Sequence, residues 1–261
     1  MRSRQGMAKA SLFGNRHLCA YCGCPSESED HTPPLCLLQK PYPDNLFTIP
    51  ACNRCNSGFS DDENLLSVIL AHVSSQEDLI RERREGKIAR AIDRDRRLKR
   101  YVDCNTDENG MFRADADTQK RISRILVKTV QGLYYHHYGR IVAGADVAIL
   151  EIKHQREVTI DDLFGQYCDR DISWDNDLWP EVTPDAKALE RAVLAWPYVL
   201  DVPEEKKPRW VNYQSGVFRY TFSKGSQGGL ICVLDLHRTL GAAAHCPWPG
   251  KAGPAGGIRG K

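Results

Sequence analysis

The stretch CAYCGCPSESEDHTPPLCLLQKPYPDNLFTIPACNRCNSGFSDDE, residues 19–63, decides the fold of this chain. Two Cys-x-x-Cys pairs, Cys19/Cys22 and Cys52/Cys55, lie near its ends with 29 residues between them. The segment is rich in Pro, Ser, Asn and Cys, so it buries too little apolar surface to fold by itself. We expect the four cysteines to fold it around one structural zinc ion, because tetrahedral zinc takes four thiolates and its binding supplies folding energy.

The composition favours a globular protein in a reducing compartment. Hydrophobic residues make up 41% and charged residues 27% of the 261 residues, and the net charge is +2. No apolar run approaches the roughly 20 residues that span a bilayer, and the basic N-terminus has no apolar core of a secretory signal. We therefore expect a cytoplasmic protein without membrane contact, in which paired cysteines favour a metal over a disulfide.

The cysteines have three alternative interpretations. One pair could be a redox dithiol, or the cysteines could be unrelated to one another. Cys24 could also replace Cys22 as a ligand if the tight turn that follows Cys19, the cysteine knuckle, shifts by two residues.

A polar set between the cysteine pairs indicates phosphodiester chemistry. His31 is a candidate general base, because a neutral histidine side chain can accept a proton near working pH. Its neighbour Asp30 offers a hard oxygen to Mg²⁺ or another divalent ion, and the amide of Asn56 offers a second oxygen. Asn56 directly follows Cys55, so the structural zinc would fix its position. Each residue also has a structural reading: a loop histidine, a turn residue at Asn45, and a helix cap at Asn56.

The order of these motifs resembles the HNH endonucleases. The shared pattern is Cys-x-x-Cys, then Asp-His-x-x-Pro, then Asn-Leu, then Cys-x-x-Cys-Asn. The resemblance implies a ββα-metal fold around one catalytic divalent ion. It implies that His31 is the general base, Asn45 braces the loop and orients His31, and Asp30 and Asn56 bind the ion. The implied activity is hydrolysis of nucleic acid, usually DNA, to 5′-phosphate and 3′-hydroxyl ends.

Three positions depart from the family pattern. Pro41–Asp44 replaces the Gly-Gly often found before the central Asn, Phe59 replaces a common Lys, and the first strand, predicted at Glu27–Glu29, is polar. We expect these departures to affect contacts with the substrate more than the metal centre.

The sequence after residue 59 predicts helices and strands but contains no further functional motif. Ser60 to Glu63 has the pattern of a capping box, and apolar residues then recur at helical spacing. A second long helix is predicted from Asp117 to about Tyr138, a short one over 184–194, and strands over 210–213, 217–222 and 230–236. Phe218, Tyr220 and Phe222 alternate with polar residues, as in a half-buried strand. Residues 141–153 and 158–172 stay unassigned.

A charged segment between these regions is a candidate surface for nucleic acid. Residues 81–100 carry ten basic and four acidic side chains, and five basic residues fall on one helix face: Arg83, Lys87, Arg90, Arg94 and Arg97. Such a face neutralises phosphates. It is equally the solvated face of a helix with internal ion pairs.

We therefore predict an α+β protein with five segments. These are a flexible basic arm (1–14), a zinc-stapled ββα-metal nuclease module (15–75), a basic helical linker (76–104), an α+β domain of mixed helices and antiparallel strands (105–246) and a disordered tail (247–261). The predicted function is a divalent-metal-dependent HNH endonuclease acting on nucleic acid, most simply double-stranded DNA. Rival interpretations are a zinc-stapled binding module without activity and a defence or toxin nuclease activated by a partner. The C-terminal domain could also bind a regulatory protein or form a homodimer.

Overall fold

The computed structural model describes residues 17–73, 96–108, 111–154, 210–225 and 229–249, with single positions between 86 and 92 and between 160 and 167. These residues form helices and two antiparallel sheets, so the predicted α+β class is confirmed. The predicted arm 1–14, the predicted helix 184–194 and most of the tail lie outside the described residues. In the described part of the chain, no helix has the length and apolar character needed to cross a bilayer.

The cysteine-rich stretch folds as two short strands followed by helices. Strands β1 (Ser28–Thr32) and β2 (Phe47–Ala51) pair antiparallel, with His31 opposite Thr48. Helices α1 (Asn53–Ser57) and α2 (Ser60–Val73) follow directly. Because side chains alternate along a strand, Asp30 is buried on one face of β1 while His31 lies half-buried on the other.

The start of α2 is where the sequence places it, but its contacts differ from a capping box. The Ser60 hydroxyl donates to the carbonyl oxygen of Ser57 at 3.0 Å. The Glu63 carboxylate accepts from Lys128 at 2.6 Å instead of reaching back to the helix start. The buried Lys128 ammonium competes for Glu63 more strongly than an exposed backbone N–H does, because both partners of the ion pair are charged.

Two further helices follow. Helix α3 (Arg96–Cys104) ends in the turn predicted from Asn105 onward. Helix α4 (Ala116–Tyr138) matches the predicted long helix: the Asp115 side chain accepts from the N–H of Thr118 at 2.8 Å, and Gly139 ends it with a left-handed φ of 62°. Helix α4 contacts α2 and both sheets, so it links the two halves of the chain.

The second sheet has five antiparallel strands in the order β3-β7-β6-β5-β4. The strands are β3 (Ala148–His154), β4 (Val211–Gln214), β5 (Phe218–Lys224), β6 (Leu230–Leu236) and β7 (Leu240–Cys246). Three of them match the strands that the sequence predicts. The sequence does not predict β7, because its Gly-Ala-Ala-Ala core has low strand propensity. It pairs nonetheless, because it is held between two neighbours.

The half-buried strand predicted at 217–222 is buried on both faces. Phe218, Tyr220 and Phe222 pack into the main core as predicted. Arg219 on the opposite face is also buried, because its Nε lies 2.5 Å from Oδ2 of Asp235 and its guanidinium stacks 4.4 Å from the Trp210 ring centre. Paired charges can be buried where single ones cannot.

One hydrophobic core joins the N-terminal and C-terminal parts. Its members include Leu37 and Leu66 from the cysteine-rich half, Leu126 from α4, and Phe218 and Leu234 from the large sheet. The loop between β1 and β2 and helix α2 therefore pack on the same core as the predicted C-terminal domain.

Helix α4 packs tightly against the hairpin at Gly132. A Cβ atom there would lie 2.4 Å from Oγ1 of Thr32 and 3.2 Å from Cδ1 of Ile49. Both of those residues are buried in the hairpin. Only glycine allows this approach, so Gly132 sets the distance between α4 and β1.

Candidate active site and metal centre

The two Cys-x-x-Cys pairs meet in one cluster. The sulfur atoms of Cys19, Cys22, Cys52 and Cys55 all lie within 4.8 Å of one another. The Sγ atoms of Cys22 and Cys52 are 3.7 Å apart, which is much longer than a disulfide bond. Tetrahedral zinc with Zn–S bonds of about 2.3 Å separates its sulfurs by about 3.8 Å. The predicted pairing is confirmed, and its geometry suits a structural metal.

The cluster lies against the hairpin and helix α4. Cys19 and Cys52 are buried together with Ile49 and Tyr135. Burial raises the pKa of the Cys19 and Cys55 thiols. A bound cation displaces such protons, because only the thiolate is a metal ligand. Cys24, the alternative ligand, is exposed and lies outside the cluster.

Asp30 is held by the cysteine knuckle. The hydroxyl group of Tyr21, which lies between Cys19 and Cys22, donates to Oδ2 of Asp30 at 3.0 Å. Burial and the charge of Asp30 raise the pKa of Tyr21, so this hydroxyl stays protonated and donates at any working pH. The structural cluster thus positions the carboxylate of Asp30 through one intervening side chain.

Helix α4 supplies a second contact to Asp30. The ammonium of Lys128 lies 2.8 Å from Oδ2 of Asp30 and 2.6 Å from Oε1 of Glu63, and the lysine side chain is 1% exposed. Burial alone would lower the pKa of Lys128, but the charges of Glu63 and Asp30 outweigh it and raise the pKa above its usual value. Lys128 is therefore a permanent cation beside the predicted metal ligand.

One ring nitrogen of His31 has no hydrogen-bond partner among the described residues. Its side chain is half-buried, and Nδ1 is buried. Among the described residues, none forms a hydrogen bond with this atom. A histidine placed only to pack or to brace a loop would normally satisfy both nitrogens. A general base likewise needs a ring nitrogen that no protein group occupies, so His31 keeps its predicted role as a candidate.

Asn45 lies in the turn before β2 and is exposed. Among the described residues, no hydrogen bond joins its side chain to His31, so its orienting role stays a prediction. Its backbone carbonyl accepts from the hydroxyl of Tyr213 at 3.1 Å, and that hydroxyl accepts from the N–H of Phe47 at 3.0 Å. The neighbouring Gln214 binds the same loop, accepting from the N–H of Gln39 at 2.9 Å and donating to its carbonyl at 2.8 Å. The edge of the large sheet therefore braces the loop that carries Asn45.

Asn56 reaches β1 from helix α1. Its amide nitrogen donates to Oγ of Ser28 at 3.1 Å and to the carbonyl of Glu29 at 3.2 Å. Because the nitrogen is used for these contacts, the amide oxygen is the atom that remains for a metal ion. Asn56 does not cap α1; Cys52 occupies that position.

The acidic residues at the start of α2 pair with cations of α4. Asp62 is buried and lies 2.7 Å from Nε of Arg121 and 2.8 Å from Nη1 of Arg124. Together with the pair of Glu63 and Lys128, these ion pairs connect the first turn of α2 to the second, third and fourth turns of α4. Asp62 and Glu63 are engaged in the helix interface.

The predicted nucleic-acid surface is described only in part. Arg83, Lys87, Arg90 and Arg94 lie outside the described residues. Arg97 lies in α3, where four of nine side chains are basic and exposed: Arg96, Arg97, Lys99 and Arg100. Lys99 pairs with Asp103 one turn later.

Four residues that contact the candidate site are not predicted by the sequence pattern: Lys128, Tyr21, Tyr213 and Gln214. A weak signal exists for Lys128, because Lys128, Gln131, Gly132 and Tyr135 recur at helical spacing on α4. This second stripe faces the hairpin, while the apolar stripe faces the main core. Position 59, where the HNH pattern commonly has a lysine, is Phe59, and the Lys128 ammonium lies 5.0 Å from the centre of its ring.

Comparison with protein-family models, with curated proteins and with solved structures finds no match to this chain.

Proposed function

We propose that this protein is an HNH-type endonuclease that hydrolyses phosphodiester bonds in nucleic acid, most simply in double-stranded DNA. The arrangement of β1 is the main support for this proposal. On one face of the strand, Tyr21 and Lys128 fix the carboxylate of Asp30. On the other face, Nδ1 of His31 has no hydrogen-bond partner among the described residues. The order of two strands and a helix, framed by a four-cysteine cluster, supports the same reading.

The four cysteines would hold zinc as a structural ion. Their sulfur spacing suits tetrahedral coordination, and the surrounding segment has few apolar residues of its own. The zinc would fix Tyr21 and Asn56, which respectively lie within and directly after the cysteine pairs.

Asp30 and Asn56 would hold the catalytic divalent ion. Their donor atoms fit, since Oδ2 of Asp30 is held by two donors and the amide nitrogen of Asn56 by two acceptors. Hydrogen-bonded carboxylates of this kind are usual around metal sites. When bound, such an ion stabilises charge on the phosphate and on the leaving oxygen.

His31 would take the proton from the attacking water. A neutral imidazole accepts this proton readily near pH 7, and a positioned general base contributes about 10²–10⁴-fold to the rate. The loop bearing Asn45, held by Tyr213 and Gln214, closes the hairpin on that side. Helix α3 and the basic residues before it would neutralise phosphates of the substrate.

Nicking of supercoiled plasmid with Mg²⁺ tests the proposal. We expect cleavage by the full chain, loss of cleavage when EDTA removes Mg²⁺ with zinc content unchanged, and products with ligatable 5′-phosphates. His31→Ala should lose activity, while His17→Ala, an exposed histidine beside the cysteine cluster, should keep it. Equal cleavage by the His31→Ala protein would refute the mechanism.

One observation favours a binding module without activity. The ion pair between Lys128 and Asp30 partly neutralises the predicted metal ligand. If the full chain binds duplex DNA or RNA but cuts neither with Mg²⁺, Mn²⁺ or Ca²⁺, this second function is the correct one.

A further inference from the structure

The buried triad of Asp30, Lys128 and Glu63 has the form of a cation site whose cation is covalently attached. Two carboxylates from different elements, β1 and α2, converge on one nitrogen at 2.8 and 2.6 Å. The Tyr21 hydroxyl donates to the same oxygen of Asp30. Two oxygens this close to one nitrogen can also both reach a single metal ion, whose bonds to oxygen are about 2.1–2.6 Å.

Two aromatic rings next to the triad favour a positive charge between its carboxylates. The Lys128 nitrogen lies 5.0 Å from the ring centre of Phe59 and 5.8 Å from that of Tyr21. Ring faces attract positive charge at such distances. The lysine side chain is 1% exposed, so it cannot reach a substrate phosphate.

We propose that the Lys128 ammonium is a resident cation that fills a divalent-ion seat between Asp30 and Glu63. Given the proposed nuclease function, it confines the catalytic ion to the remaining oxygen of Asp30 and to Asn56. Lys128 is therefore a positioning residue that acts through Asp30. It also lowers the affinity of the site for divalent ions, since a fixed positive charge repels a second cation.

The matched variants separate this role from packing. Lys128→Met keeps the apolar stem and removes the charge, whereas Lys128→Arg keeps the charge. In Lys128→Met the two carboxylates lose their shared partner and become available to a divalent ion. Adding Glu63→Gln to Lys128→Met removes one of the two carboxylates from that seat.

Mn²⁺ binding to the full chain tests the inference without any nucleic acid. Free Mn²⁺ is followed by its electron paramagnetic resonance signal, with zinc content checked in each protein. We expect Lys128→Met to bind Mn²⁺ at least tenfold more tightly than the wild type. Lys128→Arg should stay within about threefold of the wild type, and the Lys128→Met/Glu63→Gln protein should lose most of the gain. Unchanged or weaker Mn²⁺ binding by Lys128→Met overturns the inference.

Folding and catalysis give independent checks. If Lys128→Met unfolds in metal-free buffer, Lys128→Gln takes its place, because the glutamine amide still donates to a carboxylate and so supports folding. The same gain in Mn²⁺ affinity is expected of Lys128→Gln. Mn²⁺ should then raise the melting temperature of the variant more than that of the wild type, because ligand binding stabilises the folded state; an equal rise contradicts the inference. Failure of the wild type to cut DNA would refute the proposed function and leave the Mn²⁺ result standing.

Discussion

The packing of Gly132 against β1 yields a quantitative prediction for the substitution Gly132→Ala. The added Cβ would lie 2.4 Å from Oγ1 and 2.8 Å from Cγ2 of Thr32, a fully buried residue of the strand that carries Asp30 and His31. Overpacking costs about 1–3 kcal/mol, and two contacts below 3.0 Å on a rigid strand place this site near the top of that range. Alanine recovers about 1 kcal/mol of helix propensity. We expect a net loss of about 2 kcal/mol in the free energy of unfolding.

Urea unfolding followed by tryptophan fluorescence measures this loss. With a slope of about 2 kcal/mol/M, the midpoint should fall by roughly 1 M. Gly144→Ala is the matched control, because its Cβ would meet its nearest atoms at 3.6–3.8 Å, an ordinary contact distance. The control should stay within about 0.5 kcal/mol of the wild type. If Gly132→Ala is as stable as Gly144→Ala, helix α4 does not set the position of β1 and the reasoning fails.

Three further predictions concern the large sheet, a half-buried histidine of helix α4 and the basic helix α3. Asp235→Ala leaves the Arg219 guanidinium buried without its carboxylate partner and should lower the free energy of unfolding, measured in urea, by about 3–5 kcal/mol. Arg113→Ala, which removes an exposed pair with Asp107, should lower it by under about 1 kcal/mol. Similar losses for the two variants would contradict this prediction. Burial lowers the pKa of His137 to about 3, so between about pH 6.5 and 3 the unfolded chain binds a proton that the folded chain does not, and the free energy of unfolding should fall as the pH drops. The substitution His137→Phe should make this decline shallower. Equal pH dependence of the free energy of unfolding in both proteins would refute the role of His137. Replacing both Arg96 and Arg100 by Gln should lower the slope of log affinity against log salt for duplex DNA by about 0.9 per lost phosphate contact, and an unchanged slope would remove α3 from the interface.

Local patterns were enough to predict the elements that depend on nearby residues. The spacing of Cys19, Cys22, Cys52 and Cys55 predicts their cluster, because a tetrahedral site imposes a short-range rule on sequence. The apolar period of α4 likewise predicts a helix whose observed bounds differ by one residue from the expectation. Aromatic alternation in β5 marks its core face for the same reason.

Contacts between distant residues were not predictable in this way. Lys128 meets Asp30 from 98 positions along the chain, and Tyr213 meets Asn45 from a separation of 168. Neither partner carries a motif, and each side chain has an ordinary structural reading where it stands. Strand β7 was missed because its alanines have low strand propensity, and pairing with two neighbours overrides that preference.

The cleavage rate of His31→Ala measures whether His31 acts as the general base of a nuclease. Wild type, His31→Ala and His17→Ala proteins of equal zinc content are compared on one supercoiled plasmid with saturating Mg²⁺. We predict at least a 100-fold slower rate for His31→Ala, since a general base contributes about 10²–10⁴-fold, and a wild-type rate for His17→Ala. A His31→Ala rate equal to the wild-type rate would contradict this prediction.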